Sequence, residues 1–318
     1  MRIVFRGQAF EADVAEFAAR RGLDFFAARD EAELLDALPA ADALWITPTC
    51  YTSAVASAVC ANPGRLKWLG LTSAGYDVLL RNGAPPGVTL TYATSVHGPA
   101  VAEHAVSLLL ALVRRLPVSF AAQGRHAWDP SVIAGLRSLE DLSVGIVGMG
   151  AIGGAIAERL RPLCKRIIGI SRSGAADARA DAMFATEQLR AAFAQCDAAI
   201  LTVTLSEETR GLIDAAALRA LPPGALLVNV SRGPVVDGPA LARALTDGRL
   251  AGAALDVTEP EPLPPDDSLW TAPGVIITPH VGSFGSRATG KRLAEQYERN
   301  VDRFLRGDAL EGSIAYDR

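Results

Sequence analysis

SVGIVGMGAIG, from Ser143 to Gly153, runs an apolar stretch straight into glycines at positions 148, 150 and 153. Residues 143–147 read as a buried strand, and apolar positions at helical spacing follow over 155–160. In that context GxGxxG has a mechanical meaning. Gly148 permits the tight turn, Gly150 lets backbone approach a pyrophosphate, and Gly153 lets helix pack on strand; Ala151 and Ile152 complete the cofactor-binding fingerprint, and the N-terminus of the helix after it supplies N–H groups to the anion. A lone GxGxxG is weak, and a glycine-rich turn without a ligand is its bland alternative. Several more strand–helix units after it make the dinucleotide reading strong.

The next strand, 166–170, ends about 20 residues past the fingerprint, where an NAD site places Asp or Glu on the ribose hydroxyls. This chain has Ser171-Arg172-Ser173 there. No carboxylate repels a 2′-phosphate, and a guanidinium between two hydroxyls suits one. NADP(H) is the preferred cofactor; NAD(H) stays possible, with Arg172 solvated or stacked on adenine.

Working outward, strands are expected over 3–5, 43–46, 67–71 and 88–91, with helices near 10–21, 31–37 and 53–60. Six strands are expected in the second set: 143–147, 166–170, 198–203, 225–229, 251–256 and 275–278. Such runs, buried on both faces, build parallel sheets. A connecting helix spans 99–115, with Pro117 just beyond its end. The last helix, about 286–305, carries Leu293, Tyr297, Val301 and Leu305 on one stripe and is inferred to return to the first domain. Pro262, Pro264 and Pro265 mark a stiff loop.

The chain has 318 residues, 50% hydrophobic and 21% charged, with a net charge of −4. That length suggests two globular domains, and the charge gives no footprint for nucleic acid or an anionic membrane. The opening MRIVFRGQAF reads as a strand, not a secretory signal, and no apolar run reaches the roughly 18–20 residues of a membrane span. A cytoplasmic location is the default. Cys50, Cys60, Cys164 and Cys196 lack a CxxC pair or a nearby His, so they read as buried small hydrophobes, and no metal site is expected.

Moving a hydride requires a held carbonyl, a group to stabilise developing negative charge, and an acid. Strand 225–229 runs into Arg232, strand 251–256 opens toward Glu261, and strand 275–278 leads to His280. Carboxyl ends of parallel strands are where open α/β sheets bind ligands. Arg232 can hold a 2-oxoacid carboxylate, and His280, oriented by Glu261, can deliver the proton. Of the other histidines, His97 lies at the domain crossing, His104 within the connecting helix and His126 in a polar loop. Each catalytic candidate has a structural alternative: Arg232 as a helix cap, Glu261 as a solvated carboxylate, His280 as a core hydrogen bonder. Three at converging strand ends make coincidence harder.

The motifs 145–153, Asn229-Val230-Ser231-Arg232-Gly233-Pro234-Val235-Val236-Asp237, 255–263 and Thr278-Pro279-His280-Val281-Gly282 occur in order. With them the chain resembles the D-isomer-specific 2-hydroxyacid dehydrogenases, glyoxylate/hydroxypyruvate reductases among them, over nearly its whole length. Val101-Ala102-Glu103-His104 and Ser73-Ala74-Gly75-Tyr76-Asp77 are also similar. The resemblance implies His280 as acid/base, Glu261 as its partner, Arg232 as substrate clamp, and backbone N–H groups near Ala74 and Gly75 on the substrate carboxylate. It implies cofactor-lining positions at Val101, Thr204, Leu205, Thr209, Val230, Ser231 and Gly282, and Asp256 as a shaper of site electrostatics. It also implies a homodimer and a cleft that closes on substrate.

The full expectation is an α/β protein of two doubly wound parallel-sheet domains. A Rossmann dinucleotide-binding domain, 98–285, is inserted into a flavodoxin-like substrate-binding domain, 1–97 plus 286–318. The reaction is hydride transfer between NAD(P)H and a small 2-oxoacid, giving a D-2-hydroxyacid. A dinucleotide-sensing, co-repressor-like binding protein is the alternative from another class, and formate or phosphonate oxidation is the alternative chemistry. The regulatory extension of some phosphoglycerate dehydrogenases is not expected. Trp128, Trp270 and Phe284 wall the cleft or simply pack.

Overall fold

A computed structural model describes residues 1–7 and 9–315; Gln8 and the last three positions of the 286–318 segment lie outside the described residues. The chain divides into two compact units, Met1–His97 with Gly285–Arg318, and Gly98–Phe284.

In the first unit, β1 (Arg2–Arg6), β2 (Asp24–Ala27), β3 (Ala43–Ile46), β4 (Trp68–Leu71) and β5 (Thr89–Thr91) form a parallel sheet ordered β2-β1-β3-β4-β5. That is the flavodoxin-like order. Because side chains alternate along a strand, Ile3 and Phe5 point into one core while Val4 points into the other. The helix Arg287–Arg306 covers the first face through Leu293, Tyr297 and Val301. There Tyr297 stacks on Trp45 with centroids 4.1 Å apart, and Trp68 meets Trp45 edge-on at 5.1 Å. The expected stripe fails at its last position: Leu305 is 64% exposed. Phe304, three residues after Val301, stacks on Trp68 instead, since a 3.6-residue period lets either i+3 or i+4 continue a stripe.

The second unit has a seven-stranded parallel sheet, ordered β12-β11-β10-β9-β6-β7-β8. Its strands are β6 (Ser143–Val147), β7 (Arg166–Ser171), β8 (Ala182–Ala185), β9 (Ala198–Leu201), β10 (Ala225–Asn229), β11 (Leu250–Leu255) and β12 (Val275–Ile277). The order reverses between β6 and β9, the switch point where doubly wound sheets open a crevice at their carboxyl ends. The fingerprint turn follows β6, and the three candidate catalytic groups follow β10, β11 and β12.

Two strands are absent from the sequence expectation: β2 makes the first sheet five-stranded against four, and β8 makes the second seven-stranded against six. Both β2 and β8 are sheet edges whose residues are mostly half-buried. DFFA and AMFA are short and poor in β-branched residues, so neither periodicity nor composition marks them. The connecting helix also departs from expectation. It runs Gly98–Val113, Arg115 turns left-handed at φ 51°, and a second helix, Leu116–Gly124, leaves at 68°. Pro117 sits in the first turn of that second helix, where its missing N–H leaves no intrahelical bond unmade. Among the described residues no single helix is long and apolar enough to cross a membrane, although this bent pair is by length and composition.

All four cysteines are free, but only Cys196 is fully buried. Burial, with Asp197 adding to it, pushes its thiol up to about 12. Cys50, Cys60 and Cys164 are half-buried, a correction to the expectation of four core cysteines.

Candidate active site

The fingerprint glycines occupy three different environments. Gly148 adopts φ 103°, a conformation open to glycine, and Thr202 Oγ1 donates to its carbonyl at 2.6 Å. A methyl group on Gly153 would overlap the Gly148 carbonyl oxygen, so only glycine lets the helix Ala151–Leu160 lie this close to β6. A methyl on Gly150 would meet nothing. Gly150 is the helix N-cap and supplies no side-chain cap, so the open space beside it faces the uncapped first-turn N–H groups. That cradle fits an anionic pyrophosphate.

At the end of β7, Ser171 Oγ accepts from Gly174 N at 3.2 Å and Ser173 Oγ accepts from Ala175 N at 3.3 Å. The two bonds shape the turn and leave both hydroxyl protons to donate elsewhere. Arg172 is exposed between them. Glu208, a residue the sequence reading passed over, lies within electrostatic reach of Arg172. Its carboxyl is held below the usual range, first by Ser206 Oγ–H and more weakly by the Arg172 charge.

Further positions named from the sequence pack or shape turns. Val101 and Val230 are buried in one core, and Leu205 packs on the other. Thr209 Oγ1 donates to Thr204 O at 2.6 Å and accepts from Ser206 N at 2.8 Å, closing the turn after β9.

The turn after β10 is organised by buried Asn229, missed in the sequence. Its Oδ1 accepts from Ser231 N and Oγ, and its Nδ2 donates to Arg232 O at 3.0 Å. Arg232 therefore sits in a fixed extended backbone, and its guanidinium donates to Ser231 O at 2.7 Å. A methyl on Gly233 would overlap the Thr258 carbonyl, so this turn lies directly on the loop carrying Glu261. In that loop Glu261 Oε1 accepts from Thr258 N at 3.1 Å, and Oε2 lies 2.9 Å from His280 Nδ1. Burial works to raise the Glu261 pKa; it is outweighed by His280, the Thr258 N–H and the Arg232 charge, which bring it below the ordinary value. Arg232, Glu261 and His280 thus share one neighbourhood. The His280 and Glu261 side chains remain 46% and 40% exposed, open to a small molecule.

His280 has φ 54°, a left-handed conformation that costs an ordinary residue roughly 1–2 kcal/mol. Its turn is held from β11's end: Asp256 O accepts from His280 N at 2.8 Å, and the Asp256 carboxylate accepts from Val281 N and Gly282 N, each at 2.9 Å. Thr278 Oγ1 donates to Asp256 Oδ1 at 2.6 Å, and His104 Nε2 lies 3.1 Å from both. Burial opposes ionisation of Asp256, which is 4% exposed, but these donors hold its pKa at about 2. Because the folded value is depressed, the stability this carboxylate contributes is complete above the ordinary carboxyl range and is lost as pH falls toward 2.

In the first unit, Ala74 and Gly75 occupy the loop after β4, where Ser73 Oγ–H donates to Gly75 O at 2.5 Å. His97 is 5% exposed and its Nε2 meets Thr72 O at 2.7 Å. Burial, partly offset by that bond, pushes its pKa down. Trp128, Trp270 and Phe284 are exposed and pack in neither unit's core. Among the described residues no cluster of His, Cys, Asp or Glu could hold a metal ion.

A family model described as "D-isomer specific 2-hydroxyacid dehydrogenase, NAD binding domain" matches residues 106–282. A glyoxylate reductase of Pyrococcus furiosus is 34% identical over 284 residues, 87% of this chain and 83% of the relative. A D-isomer specific 2-hydroxyacid dehydrogenase family protein from Aeromonas salmonicida superimposes with a TM-score of 0.85 at 30% identity, covering 99% of both chains. The Xanthobacter autotrophicus Py2 D-isomer specific 2-hydroxyacid dehydrogenase, solved with NADPH and MES, gives 0.83 at 28% identity, covering 99% of this chain and 98% of that one.

Proposed function

The chain belongs to the D-isomer-specific 2-hydroxyacid dehydrogenase family, and from that premise we propose that it reduces a small 2-oxoacid, glyoxylate or hydroxypyruvate foremost, to the D-2-hydroxyacid with NADPH. It is an NAD(P)-dependent oxidoreductase that binds a nicotinamide dinucleotide. When bound, that cofactor supplies a hydride to the substrate C2. The catalytic roles below are the proposal.

The observation that carries it is the 2.9 Å contact between His280 Nδ1 and Glu261 Oε2 beside the Arg232 charge. An ionised Glu261 accepts from Nδ1–H, which turns the ring so that Nε2 is the nitrogen left for the substrate. As C2 gains its hydride, the carbonyl oxygen takes the Nε2 proton, and His280 is left neutral with Nδ1–H still on Glu261. Arg232 grips the substrate carboxylate and polarises the neighbouring carbonyl.

The preference for NADP(H) rests on Arg172 between two hydroxyls that can still donate. Assays of a 2-oxoacid panel with each reduced cofactor test both parts. Glyoxylate and hydroxypyruvate should turn over faster with NADPH. Arg172→Ala should weaken NADPH about tenfold or more, as expected for lost charge-assisted hydrogen bonds, and leave NADH nearly unchanged. Tight dinucleotide binding without turnover of any 2-oxoacid would favour the sensing alternative, and formate oxidation would redirect the chemistry.

A homodimer in the cytoplasm belongs to the same proposal. Phe120, Trp128 and Ile133 are 63%, 97% and 67% exposed within fourteen residues of the second unit, and apolar side chains left open to solvent are what a second copy could cover. A strictly monomeric species in sedimentation would count against the dimer.

A further inference from the structure

We propose that His104 is a positioning residue for His280: from the helix Gly98–Val113 its Nε2–H ties Asp256 to Thr278, and this knot fixes the turn that presents the imidazole. The inference rests on the reading of His280 as the proton donor.

The hydrogen bonds assign the proton. Thr278 Oγ1 stands 2.6 Å from Asp256 Oδ1 and 3.1 Å from His104 Nε2. A carboxylate can only accept, so the threonine proton goes to Asp256 and the hydroxyl oxygen is left to accept. His104 Nε2, 3.1 Å from Asp256 Oδ1 as well, therefore faces two acceptors and carries a hydrogen. His104 and Asp256 are 152 residues apart, so this N–H is a tie from the connecting helix to the end of β11.

Asp256 in turn holds three consecutive amides. Its backbone oxygen takes His280 N, Oδ1 takes Val281 N and Oδ2 takes Gly282 N. His280, at φ 54°, is the middle of a turn that such a residue does not adopt unaided. Packing is tight as well: a methyl on Gly282 would come 2.9 Å from Asp256 Oδ2 and 3.2 Å from His104 Cδ2. Removing the His104 donor leaves a buried carboxylate and a hydroxyl oxygen each one partner short. The turn loosens, and the imidazole samples poses in which Nε2 is off line. Such slack acts on the chemical step more than on binding.

His104→Leu should lower kcat about tenfold, with the KM for glyoxylate and the Kd for NADPH within about twofold of the parent. His104→Gln, which keeps an N–H donor, should restore most of it. Amide exchange in the peptide carrying Val281 and Gly282 should speed up in the Leu variant and return toward the parent in the Gln variant. Thr278→Val removes the second strand of the knot and should act in the same direction; it decides the matter if His104→Leu does not fold. Unchanged exchange, or a fall in kcat matched by equal losses of NADPH affinity that Gln does not rescue, overturns the proposal. If His280→Gln turns over normally, the catalytic reading of His280 fails, while the exchange measurement still decides whether His104 holds the turn.

Discussion

His280→Gln is expected to bind NADPH as the parent does and to reduce glyoxylate on the order of 100 to 1,000 times more slowly, the range for loss of a positioned general acid. Glutamine fills similar space and can still donate to Glu261, so the backbone turn and its anchor on Asp256 should survive. It cannot release a proton to the nascent alkoxide. The loss should appear in kcat with little change in KM, because the missing interaction forms only as charge develops on oxygen. Single-turnover oxidation of bound NADPH by glyoxylate checks the assignment: the parent consumes the bound NADPH in one fast phase, and the variant does so only in a slow one. Near-parental turnover would remove His280 from the mechanism. Glu261→Gln should fall less, because the imidazole remains and loses only its charged partner.

What could be read in advance follows from how local each signal is. The fingerprint, its strand and its helix occupy one continuous stretch, and Gly148 and Gly153 meet the steric demand their positions implied. Arg232, Glu261 and His280 were legible because parallel strands have their carboxyl ends at one edge of the sheet, so position along a strand stands in for position in space. Asp256 was visible only through resemblance, and its partner His104 read as an ordinary helix residue. Nothing in a 3.6-residue periodicity tells which carboxylate, 152 residues away, an imidazole will meet. Asn229 was passed over for a related reason: its side chain bonds only to the turn that follows it, and that turn had been read for its arginine. The edge strands β2 and β8 are only half-covered, so they lack the continuous apolar run that marked the buried strands.

Arg232→Leu carries the other large expectation, a fall in kcat/KM on the order of 1,000-fold with dinucleotide affinity nearly intact. Losing a bidentate ion pair to the substrate and the polarisation of its carbonyl together accounts for about 4 kcal/mol. Both parameters should move: KM rises because the carboxylate loses its anchor, and kcat falls because the guanidinium no longer stabilises charge growing on oxygen. Lysine should recover part of the KM and little of kcat, since a point charge cannot reproduce the planar fork. The structural alternative predicts a different pattern. Arg232 borders the short turn Gly233–Val235, and its guanidinium already donates to Ser231 O. Were that its whole role, leucine would lower the melting temperature and leave the kinetics of the folded fraction unchanged. Asn229 supplies the control, because its side chain holds the backbone of this turn without reaching the substrate's carboxylate. Asn229→Ala should therefore destabilise the fold and disorder the guanidinium together, whereas Arg232→Leu should separate the two, leaving stability within about 1 kcal/mol of the parent while catalysis is lost.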